Sequence, residues 1–130
     1  PCILPKACKT DAEINRIRDA HVKDGVAVTK FLYWLDNHDH AGVPLSELDI
    51  ADKLLEFRKA ISDFSDTSFD TIAGWNANGA IVHYRATPER HAIVQPPGIL
   101  LLDSGGQYLG ATTDITRTVP VGTQILPDVK

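Results

Sequence analysis

The residues between Ile99 and Val119 constrain this chain more than any others. An apolar run, Ile99-Leu100-Leu101-Leu102, stops at Asp103. Gly105, Gly106 and Gly110 then supply turn chemistry, and a β-branched run resumes from Thr113 to Val119. That order specifies a β-hairpin. With the turn centred near Tyr108 and Leu109, Asp103 and Asp114 face one another across it. Directly opposed residues of an antiparallel pair have Cβ atoms roughly 4.5–5.5 Å apart. Two carboxylates at that spacing repel unless a cation lies between them, and they suit a pair of divalent ions about 3.5–4 Å apart. The hairpin therefore reads as half of a two-metal site. Taken alone, the same spacing also fits two surface carboxylates that cap turns.

The rest of the chain divides into helical and β-rich parts. Thr10-Asp11-Ala12-Glu13 has the form of a capping box, and Ile14, Ile17, His21, Val28, Phe31, Leu32 and Leu35 recur at helical intervals. They predict a helix over about 11–37. A polar break at Asn37-His38-Asp39-His40-Ala41-Gly42 follows. Pro44 or Ser46 can open a second helix, over about 45–62, carrying Leu48, Ala51, Leu54, Leu55 and Ile61. From about 69 to 119 short runs read as strands: Thr71 to Ala73, Ala80 to Tyr84, Ile99 to Leu102 and Thr113 to Val119. Helices grouped before strands predict an α+β fold, with an antiparallel sheet covered on one face and open on the other for a site.

A chain of 130 residues suffices for one domain. A net charge of -4 with no basic stripe argues against nucleic acid as a partner. No apolar run approaches the roughly 18 residues of a membrane span, and the first residues lack the order of a signal peptide. Two cysteines, Cys2 and Cys8, are too few for a disulfide scaffold, so a cytoplasmic, free-thiol reading is expected. The chain starts at Pro1 and contains no Met, which predicts a piece of something longer.

Other polar residues have ordinary readings. His38 and His40 bracket Asp39 in a loop where alternate side chains need not converge, so no metal site is expected there. His21 reads as a hydrogen-bonded helix histidine and His91 as exposed. Trp34 and Trp75 read as core or interface anchors, and Tyr84 as a packing residue with a wet hydroxyl. Thr116 and Thr118 share a strand face with Asp114 and can orient its carboxylate. Arg117 points the other way, toward an expected ion pair.

Asp103-Ser104-Gly105-Gly106-Gln107-Tyr108 and Thr112-Thr113-Asp114-Ile115-Thr116-Arg117-Thr118 resemble the metal-binding hairpin of the Xaa-Pro aminopeptidases (aminopeptidase P), metallopeptidases of pita-bread fold. Ala20-His21-Val22-Lys23-Asp24-Gly25, Phe57-Arg58, Ser68-Phe69-Asp70-Thr71-Ile72 and Asn78-Gly79-Ala80-Ile81-Val82-His83-Tyr84 resemble the same family in the same order. The resemblance covers nearly the whole chain. It implies that residues 1–130 form the first of two pseudo-symmetric halves of a catalytic domain. It further implies hydrolysis of the bond before a penultimate proline by a dinuclear metal-activated water, with two divalent ions, expected as Mn²⁺. Asp103 would bind one ion, Asp114 would bridge both, and His83 would face the substrate in a catalytic role. The remaining ligands, a His and two Glu, belong to the second half, so this segment alone is expected to be inactive. Its expected partners are peptides with proline in second position, the missing half, and a possible second copy in a homodimer. The alternative is a pita-bread peptide-binding or chaperone module without catalysis, against which the facing aspartates count.

Overall fold

Each long helix starts where a hydroxyl residue closes a reciprocal cap. The computed structural model describes residues 1–122. Helix α1 (Ile3–Ala7) is a short exposed turn of helix that the sequence pattern does not announce. In α2 (Asp11–Asp36) the Thr10 hydroxyl accepts from Glu13 N at 3.3 Å, while Glu13 Oε2 accepts from Thr10 N at 2.7 Å. The helix buries Ala20, Asp24, Ala27, Val28, Phe31 and Leu35 along one face.

Residues Leu45–Ser46 form strand β1 rather than helix, because Ser46 caps α3 (Glu47–Lys59) from an extended backbone. Ser46 Oγ accepts from Asp49 N at 3.1 Å and Asp49 Oδ2 from Ser46 N at 2.7 Å. The buried stripe of α3 is Glu47, Ile50, Leu54 and Arg58. Of the apolar residues the sequence places on this helix, Leu54 is fully buried and Leu48, Ala51 and Leu55 are half-buried.

The strands β2 (Phe64–Thr67), β3 (Ile72–Trp75), β4 (Ile93–Val94), β5 (Gly98–Ser104), β6 (Gly106–Tyr108), β7 (Ala111–Thr112) and β8 (Ile115–Val121) make three small antiparallel sheets with β1. Their orders are β1-β4, β2-β6-β7 and β3-β5-β8. Along β5 burial alternates, with Leu100, Leu102 and Ser104 inward and Ile99, Leu101 and Asp103 on the opposite face. The core joins Phe31, Leu35, Ile50 and Leu54 of the helices to Trp75, Leu100, Leu102 and Val121 of the sheet. The helices therefore cover the face that Asp103 leaves.

The expected strand over Ala80 to Tyr84 is absent. Asn76–Ala80 forms a 3-10 turn, Ile81 and Val82 are exposed, and His83 has φ of 56°. Polar anchoring of Asn78 and Tyr84, described below, outweighs the β propensity of Ile81 and Val82.

Candidate metal centre

The hairpin β5 to β8 runs in one register through two sheets. Gly98 pairs with Val121, Asp103 with Thr116 and Ser104 with Ile115, and beyond the bend Gln107 pairs with Thr112 and Tyr108 with Ala111. Between these segments Thr113 N donates to Gly106 O at 2.9 Å, and Gly106 N donates to the Thr113 hydroxyl at 2.9 Å. The turn is thus centred between Leu109 and Gly110, where Gly110 takes φ of 81°. Asp103 stands opposite Thr116, not opposite Asp114 as the sequence suggested. Moving the centre by one residue moves the partner by two, so Asp114 stays on the Asp103 face as a diagonal neighbour. Backbones of such neighbours are about 7–8 Å apart.

Asp103 is half-buried and Asp114 exposed. Thr116 Oγ1 donates to Asp103 Oδ1 at 2.7 Å, so the threonine orients Asp103 rather than Asp114. Among the described residues no Lys or Arg forms an ion pair with either aspartate. Arg117, expected to pair, instead donates to the Thr116 carbonyl at 2.7 Å. Two carboxylates on one face, with one Asp103 oxygen fixed and the other not engaged by a side chain, fit hard divalent ions such as Mn²⁺ or Mg²⁺. Among the described residues no group of three or more His, Cys, Asp or Glu could hold a metal, so these two do not complete a centre by themselves.

Directly beneath lies a buried polar cluster that sequence reasoning did not assign. Arg58 Nε donates to Asp24 Oδ1 at 2.7 Å, and its Nη2 reaches Asp24 Oδ2 at 3.2 Å and Ser104 Oγ at 3.1 Å. Thr113 Oγ1 donates to Asp24 Oδ2 and accepts from Gly106 N at 2.9 Å. Asp24, Arg58, Ser104 and Thr113 are all fully buried. Burial and then the negative charge of Asp24 push the Tyr108 phenol well above its ordinary range. The available signal was periodicity: Asp24 and Arg58 each fall on the apolar stripe of their helix.

A second buried carboxylate shapes the segment that carries His83. Glu47, at the first position of α3, accepts from Trp75 N (2.7 Å), Asn78 Nδ2 (3.0 Å), Tyr84 Oη (2.7 Å) and Ala92 N (2.8 Å). Its charge lies at a helix N-terminus, where the backbone dipoles favour an anion. The Tyr84 hydroxyl is therefore dry, not wet, and burial with the neighbouring Glu47 raises it to about 12. His83 itself is exposed on the turn, and no hydrogen bond or ion pair among the described residues joins it to Asp103 or Asp114. The structure thus places Asp103 and Asp114 at neighbouring positions of one hairpin, and among the described residues no hydrogen bond or ion pair joins His83 to either.

The remaining histidines serve local structure. His21 Nδ1 bonds with Ile17 O at 2.8 Å, His38 Nε2 with Val43 O at 2.7 Å and His40 Nε2 with Leu35 O at 3.1 Å. Asp39 accepts from Ala41 N and Gly42 N, which closes its loop and leaves no convergent His-Asp-His site. Trp75 is buried, and Trp34 packs on Phe31 with Lys53 over its ring. No helix among the described residues is long and apolar enough to cross a membrane.

Residues 15–129 match the model of metallopeptidase family M24. The chain is 50% identical over 119 residues to aminopeptidase P2 of Arabidopsis thaliana, covering 92% of this chain and 17% of that protein. It is 44% identical over 128 residues to the probable Xaa-Pro aminopeptidase P of Podospora anserina, covering 96% and 18%. The chain thus spans less than a fifth of the length of these relatives. Its fold matches the crystal structure of an X-prolyl aminopeptidase from Caenorhabditis elegans, described as a cytosolic enzyme with a di-nuclear active site. The TM-score is 0.84 at 33% identity, over 93% of this chain and 20% of that one. A Zn-substituted Escherichia coli aminopeptidase P in complex with product gives a TM-score of 0.75 at 25% identity, over 93% and 25%. The α+β architecture is that of the pita-bread aminopeptidases. On the family match and these identities together, the chain belongs to metallopeptidase family M24.

Proposed function

We propose that this chain supplies two carboxylate ligands, Asp103 and Asp114, to the dinuclear centre of a cytoplasmic Xaa-Pro aminopeptidase. The reaction adds water across the bond between the first residue and a proline in second position, releasing an amino acid and a peptide that begins with proline. The observation that carries the reading is the shared face of Asp103 and Asp114 on one hairpin, without a basic partner among the described residues, in a chain whose relatives bear that enzyme's name.

A pair of divalent ions, which we take to be Mn²⁺, supplies Lewis acidity and lowers the pKa of water toward neutrality when bound. Asp103 would be a ligand of one ion and Asp114 of both, with the Asp103 carboxylate oriented by Thr116. Thr116 keeps the Asp103 carboxylate from rotating. His83 would meet the substrate from a turn whose two sides, Asn78 and Tyr84, are tied to Glu47. Two ligands do not complete the centre, so the segment by itself should be inactive.

Release of the first residue from an Arg-Pro-Pro peptide tests this. The intact protein that contains this chain is expected to be active with Mn²⁺. Loss of a partner beyond the ligands costs about 10–100-fold, so Asp114→Asn, which alters a ligand, should cost at least about a hundredfold. The 130-residue chain alone should release nothing. Activity that survives Asp114→Asn would refute the assignment.

A further inference from the structure

Ser104 follows Asp103 in sequence, and Thr113 precedes Asp114. Because strand side chains alternate between faces, the residue next to each proposed ligand points away from it, toward the helices. Both inward residues end on the same buried ion pair. Ser104 Oγ accepts from Arg58 Nη2 at 3.1 Å, and Thr113 Oγ1 donates to Asp24 Oδ2, which Arg58 Nη2 also contacts at 3.2 Å. The contacts join α2, α3 and both arms of the hairpin, across sequence separations of 34, 46 and 89 residues.

A buried ion pair is a poor way to gain stability, since apolar residues of similar volume serve as well or better. What a planar guanidinium and a carboxylate add is direction, because each hydrogen bond fixes an angle as well as a distance. We infer that Asp24 and Arg58, acting through Thr113 and Ser104, are positioning residues that set the relative placement of Asp103 and Asp114 for a pair of metal ions. The inference rests on the ligand assignment above. Gly105 completes the arrangement: a Cβ there would meet Thr113 O at 2.0 Å and Ser68 Oγ at 2.2 Å, so the backbone between the arms is held closer than any side chain permits. Ser68 Oγ donates to Thr113 O at 3.0 Å, gripping the Asp114 arm from the other side.

The test is Mn²⁺ binding by the intact protein that contains this chain, followed by EPR, which reports both free Mn²⁺ and the coupled signal of a bound pair. Thr113→Val keeps the side-chain shape and removes the hydroxyl. It is expected to weaken Mn²⁺ binding by about tenfold or more and to alter the coupled signal. Thr113→Ser should restore both. Leu35→Ala, a core change about three turns along α2 from Asp24, should lower Tm while the folded protein keeps the wild-type affinity and signal. If Thr113→Val does not fold, Ser104→Ala, which deletes only the hydroxyl at Arg58, carries the same comparison. A folded variant of either kind with unchanged affinity and signal overturns the inference. Asp103→Asn and Asp114→Asn separate this from the underlying reading. If they lose Mn²⁺ while the Thr113 and Ser104 variants do not, only the positioning role falls; if they bind as the wild type does, the ligand assignment falls and the positioning role with it.

Discussion

Single residues in this protein are set by what they face rather than by their own propensity. Tyr84 shows how far this goes. Its hydroxyl donates to Glu47 and accepts from Asn78 Nδ2 at 3.0 Å inside the protein, and burial followed by the Glu47 carboxylate raises it from an ordinary value of 10.0 to about 12. A raised folded value favours the protonated phenol in the native state. Its contribution is therefore complete below pH 10.0 and is lost as the pH rises toward about 12. Tyr84→Phe should be less stable than the wild type at neutral pH, and urea midpoints measured from neutral to strongly alkaline pH should converge as the wild type loses this contribution. A gap that stays constant across that range would place the hydroxyl outside the titrating network. Sequence reading identified Tyr84 as a packing residue and could not supply the dry partner, because Glu47 lies 37 positions away.

At the scale of elements, what the sequence revealed depended on whether the determinant was local. Both long helices were legible from their caps and periodicity, and the start of α3 was misplaced only because Pro44 competed with Ser46 as its opening residue. The cap of α3 has a measurable signature. The Ser46 hydroxyl and N–H hold Asp49 below the ordinary carboxylate value of 3.8, so its contribution is present above that pH and lost as the pH falls through the folded value. Asp49→Ala should therefore unfold at a lower temperature than the wild type at neutral pH, with the two scans drawing together below pH 3.8. The short strands were less legible. β1, β2 and β4 carry two to four residues each, too few to show a period, and they exist because partners elsewhere supply the hydrogen bonds. Ala80 to Tyr84 failed in the opposite way, reading as a strand where buried polar anchors impose a turn.

The whole molecule is organised so that one core supports both the helical layer and the hairpin. Leu54 of α3 is completely buried in the same cluster as Trp75, Leu100 and Val121. Leu54→Ala should cost about 2–5 kcal/mol. Tryptophan fluorescence and far-UV circular dichroism should report the same shifted urea midpoint, and separate transitions would show that helices and sheet unfold independently. The expected direct facing of Asp103 and Asp114 failed by one residue in the turn centre, an error that side-chain alternation tolerates, whereas the ion pair beneath depends on contacts no local pattern contains. The continuous register has a consequence for how this hairpin can vary in length. One residue added within a single arm would turn Asp103 or Asp114 toward the helices unless a bulge absorbed it. One residue added to each arm, or a longer tip at Leu109 and Gly110, would leave both carboxylates facing outward. Within its arms, this hairpin keeps both carboxylates on one face only when it grows or shrinks by twos.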